Sequence, residues 1–170
     1  MESPGGEDPL TLSPLGPLWA AIATAGFAVL FNLRRRDVPI AALGAALGWA
    51  VYMLVSAATL AEAVGLFAAA ALIGLWAEFM AAFLKRPASV YIVCAIIPLV
   101  PGSGMYYTML ASVKSQTWSA LTAGLGTLQA AGAIAAGLAL SGAFARLLSL
   151  RRLARKWGGP AQSRRGRTIR

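Results

Sequence analysis

Residues 38–84 read VPIAALGAALGWAVYMLVSAATLAEAVGLFAAAALIGLWAEFMAAFL, a stretch whose only charged side chains are Glu62 and Glu78. An α-helix rises about 1.5 Å per residue and the hydrocarbon core of a bilayer is about 30 Å thick, so one membrane span takes about 20 apolar residues. The stretch therefore holds two spans, 38–59 and 60–84. The break between them offers only residues 56–59, so the two helices are expected to join by a very tight turn.

Working outward, three more apolar runs appear. Residues 15–33 carry no charge before Arg34. Residues 90–113 are apolar but interrupted by Pro98 and by Pro101-Gly102. Residues 118–150 are apolar and rich in small residues up to Arg146. The expectation is an all-α polytopic membrane protein of about five transmembrane helices, the fourth broken at Pro98 and Pro101-Gly102. Residues 14–150 form the membrane domain. An acidic leader, 1–13, precedes it, and a basic tail, 151–170, follows, with Gly158-Gly159-Pro160 ending any helix. The leader carries Glu2, Glu7 and Asp8 before its apolar stretch. A secretory signal needs a basic region there, so the first helix is expected to stay uncleaved.

Composition supports lipid as the solvent. Of the 170 residues 58% are hydrophobic and 12% charged, about half the charged share of a soluble domain. A folded chain of this size keeps too much surface to hide that apolar material from water. The net charge of +9 points first to nucleic acid, but its distribution argues for a membrane. Nine of the fifteen Lys+Arg lie from Arg146 onward, and five form the clusters Arg34-Arg35-Arg36 and Lys85-Arg86 between apolar runs. Basic residues mark cytoplasmic loops. With the N-terminus outside and the C-terminus inside, fourteen of the fifteen fall inside and only Lys114 outside. No basic patch interleaved with stacking aromatics is present, so no nucleic-acid partner is expected.

The lone Cys94 and the absence of histidine leave no ligand set for zinc or haem, and no cofactor is expected. Cys94 reads as a small apolar residue inside a helix. Trp19, Trp76 and Trp118 lie near run ends, as interface anchors or as packing residues, and Trp49 is expected to face another helix.

Three features carry candidate function. Gly44-Ala45-Ala46-Leu47-Gly48, and Gly124, Gly126, Gly132, Gly137 and Gly142 in the last run, let helix backbones approach closely. They serve either a partner or packing within the chain. Glu78 lies seven residues before Lys85, about 10 Å inside the membrane boundary. It is either a proton-coupling or substrate-ammonium contact, or a carboxylate that snorkels or pairs with Lys85 or Arg86. The third feature is the segment 96–108, where two prolines and two glycines interrupt the helix after about eight helical residues, near the expected midplane. Irregular backbone in a bilayer survives only against protein or a water-filled cavity. A second half-helix beginning there aims free N–H groups at the break, and such groups attract an anion such as a carboxylate. Pro101, Gly102, Ser103, Gly104, Tyr106 and Tyr107 are the candidate substrate-binding residues, with Thr108 adding a hydroxyl. The alternative is a kinked structural helix without a ligand. A catalytic serine at Ser103 would need a base, and the chain has no histidine and places Lys85 and Lys114 at the interfaces, so an enzyme is not expected.

Phe31-Asn32, the stretch 78–87, and Ile97-Pro98-Leu99-Val100-Pro101-Gly102 followed by Tyr106 resemble the threonine/serine exporter (ThrE) family. The likeness covers about residues 20–145 and is to the short, YjjB-like subunit that corresponds to the C-terminal half of full-length exporters. Pro101, Gly102 and Tyr106 carry the family pattern. The resemblance implies a multi-pass protein of the bacterial inner membrane that exports small hydrophilic metabolites. Threonine and serine are the eponymous substrates, and dicarboxylates such as succinate are the alternative. It also implies a larger membrane subunit as partner. No nucleotide-binding loop of the form Gly-x-x-x-x-Gly-Lys-Ser/Thr is present, so the expected driving force is the proton gradient. A membrane scaffold without transport is the remaining alternative.

Overall fold

The computed structural model describes residues 15–157, with side chains described to residue 147. The acidic leader 1–13, the Gly158-Gly159-Pro160 stop and the side chains of the basic tail 151–170 lie outside the described residues. The elements are α1 (Gly16–Leu30), α2 (Val38–Thr59), α3 (Glu62–Leu84), α4 (Ala88–Ile96), a single 3-10 turn (Ile97–Leu99), α5 (Gly102–Val113) and α6 (Thr117–Trp157). The described residues contain no strand.

Helix boundaries follow local chemistry. Pro17 and Pro39 sit in the first turns of α1 and α2, where a missing N–H costs nothing. Left-handed residues Asn32, Leu60, Lys85 and Ser115 terminate four of the helices or lie just beyond them. The expected tight turn between α2 and α3 is only Leu60 and Ala61. Leu60 adopts φ 53°, ψ 24° and Ala61 is extended. Leucine pays for the left-handed conformation that glycine adopts freely.

All five apolar runs are helical. Three of them, α2, α3 and Thr117–Leu147 of α6, are long and apolar enough to cross a bilayer singly. The fourth run qualifies only as the pair Ala88–Leu99 and Gly102–Val113, bent by 53°. The first gives the 15 residues of α1, about 22 Å of helix, short of a full core. Among the described residues three helices, or four spans with the bent pair, are thus long and apolar enough to cross, beside one short apolar helix.

The helix α3 is the centre of the bundle. It packs against α2 on one side and α6 on the other, while α4 lies across α3 and α2, α1 rests on α2, and α5 rests on α6. The seams are built from residues without bulk. Gly44 and Gly48 of α2 receive Trp76 and Ile73 of α3, whose atoms lie 2.6 Å and 2.5 Å from where a Cβ would stand. The Trp76 Nε1 donates to the Ile40 carbonyl at 3.1 Å, so this tryptophan is a packing residue as well as one near a helix end. Trp49 faces another helix, covering Gly16 of α1. Trp19 and Trp118 are exposed. On the other seam, Gly137 of α6 lies over the Phe67 carbonyl, Ala70 and Ala71 of α3, and Gly74 lies against Ser141. The core joining α2, α3, α4 and α6 is mostly alanine: Ala45, Ala69, Ala70, Ala95 and Ala130 with Leu66, Ile73, Leu99 and Ile134. Between lipid-solvated helices there is no hydrophobic drive, so close backbone approach and dispersion hold the bundle.

The glycines of α6 divide accordingly. Gly124 and Gly137 pack within the chain, whereas Gly126, Gly132 and Gly142 have open space where a side chain would go. Replacing Gly137 by Ala is expected to destabilise by about 1–3 kcal/mol, because backbone atoms of α3 must move. Gly132→Ala is expected to be neutral or to gain up to about 1 kcal/mol from helix propensity. Thermal unfolding of the two variants in the same detergent measures the contrast.

Candidate functional site

The break is real, and both prolines shape it. Pro98 changes the backbone from α-helix to a 3-10 turn after Ile96. It sits in the first turn of the 3-10 segment, where proline is tolerated, and helical backbone continues to Leu99. The chain leaves the helix at Val100, φ −64° and ψ 129°. The residue before a proline is driven to extended backbone, so Pro101 is the cause. Pro101 itself, at φ −75° and ψ 64°, makes an inverse γ-turn in which the Gly102 N–H donates to the Val100 carbonyl at 2.7 Å.

Helix α5 then starts without a side-chain cap. The Met105 N–H donates to the Pro101 carbonyl at 3.3 Å. Among the described residues the N–H groups of Ser103 and Gly104 have no acceptor. Gly102 and Ser103 are exposed and Pro101 is half-buried. Tyr106 and Tyr107, one turn on, are exposed with their ring centroids 5.4 Å apart, edge to face. The break therefore gathers Pro101, Gly102, Ser103, Tyr106 and Tyr107 on open surface. Gly104 has a different task, because its missing side chain makes room for Thr127 of α6. Thr108 turns its hydroxyl back to the Gly104 carbonyl at 2.7 Å, so its proton is already committed within α5.

Close approaches fix the register. Gly137 meets Phe67, Ala70 and Ala71, and Ser141 meets Gly74, so α3 and α6 run in the same direction. Gly104 meets Thr127 and Gly124 meets Thr108, so α5 runs against α6. Thr127 precedes Gly137 by ten residues, about 15 Å, whereas α3 begins only five residues before Phe67. From Gly104 onward, α5 and the first turns of α6 thus stand beyond the α2–α3 turn. The break lies towards the Glu62 end of α3 rather than at its middle, which corrects the expected midplane position. The projecting pair is apolar and exposed, with Met109, Val113, Leu121 and Leu128 among its outward residues.

Glu78 is not part of this cluster. It follows Gly74 by one turn, half-buried on the side of α3 that faces α6, level with about Ala145. Along α6 this is about 25 Å from the level of the break. Among the described residues it has neither hydrogen bond nor ion pair, and so no pairing with Lys85 or Arg86. Periodicity alone missed three buried hydroxyls without partners, Thr24, Ser56 and Tyr91. In helices apolar on every side they read as ordinary core positions. No group of three or more metal-ligating side chains occurs among the described residues.

An all-helical bundle with helices long and apolar enough to span and small-residue seams fits a multi-pass membrane protein. The family model described as Threonine/Serine exporter, ThrE, matches residues 17–144, and the chain belongs to that family. That family is one of membrane exporters. No solved structure matches the chain.

Cys94, the lone cysteine of the sequence, is 1% exposed. In otherwise native protein it is expected to stay unmodified by a membrane-impermeant maleimide, whereas a Ser103→Cys variant reacts rapidly in intact membranes. Failure of that cysteine to react places the α5 N-terminus in a dry environment.

Proposed function

We propose that this chain is one subunit of a secondary exporter of threonine and serine in the bacterial inner membrane, acting with a larger membrane subunit of the same family. The observation that carries the reading is the uncapped start of α5. Its unpaired N–H groups at Ser103 and Gly104 suit a substrate carboxylate, and Ser103, Tyr106 and Tyr107 supply hydroxyls beside it. These groups are open in the isolated chain, and bare main-chain donors beside apolar helix surface require cover by protein or water. The apolar projection of α5 and α6 needs the same cover. A partner subunit seated there encloses the break and completes the path.

Orientation follows the positive-inside rule, with the α1–α2 and α3–α4 loops and the C-terminus inside. Whether α1 crosses fully affects only the side of the N-terminus, because each later loop keeps its side. Crossing by α1 gives N-out, C-in. Glu78 serves as the proton-coupling group. Among the described residues it is half-buried without a fixed cation. Because it lies far from the break, its action on substrate passes through the α3–α6 pair rather than by contact.

Deletion of the gene is expected to raise intracellular threonine and serine after dipeptide feeding, with rescue only when both subunits are supplied. Accumulation of succinate alone would assign the path to dicarboxylates instead, and full rescue by this chain alone would remove the partner. Substitution of Glu78 by Gln is expected to lower proton-driven export about tenfold or more and to flatten its pH dependence, while assembly with the partner persists. Unchanged rate and pH profile would remove the coupling role.

A further inference from the structure

The α1–α2 and α3–α4 loops lie side by side at one end of the bundle. A single apolar cluster takes Leu33 and Val38 from the flanks of the first loop and Leu84 and Ala88 from the flanks of the second. Between those flanks stand Arg34, Arg35 and Arg36 on one loop and Lys85 and Arg86 on the other, all exposed. Asp37 is the one acid in either loop, which leaves four positive charges uncompensated. Helix dipoles do not absorb them. α1 and α3 end here while α2 and α4 begin here, so two negative helix ends are offset by two positive ones.

Beneath the cations, α4 starts after Pro87 with no side chain capping its first N–H groups. Tyr91, in the first turns of α4, is 1% exposed, and its hydroxyl is buried without a hydrogen-bond partner. A helical side chain leans towards the N-terminus of its own helix, so the Tyr91 ring leans towards the two loops. Asp37 and Arg86 are the charges whose fields reach it. A buried hydroxyl in this state is destabilising until a polar group meets it. Close before each basic cluster stands an exposed aromatic ring, Phe31 in one case and Phe83 in the other.

We propose that these loops form a binding site for the phosphodiester headgroup of an anionic membrane phospholipid. The guanidinium and ammonium groups of the two loops and the first-turn N–H groups of α4 hold the phosphate, Tyr91 donates to it from below, and Phe31 and Phe83 meet the start of the acyl chains. Free phosphate shares the headgroup chemistry but has no use for the two rings. The site is independent of the exporter reading, since it lies at the opposite end of α4 from the break.

Purified protein in a neutral detergent is titrated with phosphatidylglycerol, phosphatidylcholine or inorganic phosphate while thermal unfolding is followed. Saturating phosphatidylglycerol is expected to raise Tm by about 5–10 °C, and the other two to leave it nearly unchanged. The variant R34Q/R35Q/R36Q/R86Q is expected to lose most of that rise, whereas K114Q, at the other end of the bundle, keeps it. Tyr91→Phe is expected to fold and to bind phosphatidylglycerol several-fold more weakly. Native mass spectrometry of co-purified lipid gives a second readout that does not depend on stability. An equal rise with phosphatidylcholine, or a full rise in the fourfold variant, overturns the site. An equal rise with inorganic phosphate overturns the lipid assignment, and undiminished lipid binding by Tyr91→Phe overturns the role of the hydroxyl.

Discussion

The α3–α6 seam is the contact on which the bundle turns. At Gly137 the two backbones approach so closely that an added methyl would meet a main-chain oxygen and a main-chain nitrogen of α3. Gly74 against Ser141 repeats the approach one turn away. In water, burial of apolar surface would hold two helices together even with a looser fit. In hydrocarbon that drive is absent, and dispersion between near-touching surfaces must do the work. The same seam fixes where α6 sits relative to α3. It thereby fixes how far α5, carried on α6 through Gly104 and Thr127, reaches beyond the α2–α3 turn.

That placement gives the break its meaning. Pro101 forces Val100 into extended backbone, the γ-turn satisfies Gly102, and the following N–H groups are left bare. A structural kink would be expected to shelter these groups against its own bundle. Here they open outward, on a helix pair with apolar flanks and no further cover among the described residues. A subunit whose polar main chain faces away from its own core is suited to an assembled path rather than to solitary function.

Much of this was legible in the residue order. Uncharged runs of the right length name α2, α3 and α6, and the proline-glycine segment names the broken helix. Other features depend on contacts that lie far apart in sequence. The run 15–33 appears long enough to span, yet Pro17 starts α1 and Asn32 turns left-handed, so only 15 helical residues remain. Pro98 looks as disruptive as Pro101, but only the fold shows that it falls in a first turn. The depth of the break and the distance from Glu78 to it follow from which glycine of α6 meets which alanine of α3. No periodicity encodes that pairing in helices that are apolar all round.

The two-residue link at Leu60 and Ala61 has a further consequence for biogenesis. Two apolar helices of 22 and 23 residues joined so tightly cannot enter the bilayer at separate times and find each other later. They must go in together as a preformed antiparallel pair, and the exposed leucine at its tip must be carried across with them. The connection also has no slack to accept an inserted epitope or domain without prying apart Gly65 and the Tyr52 carbonyl just below it.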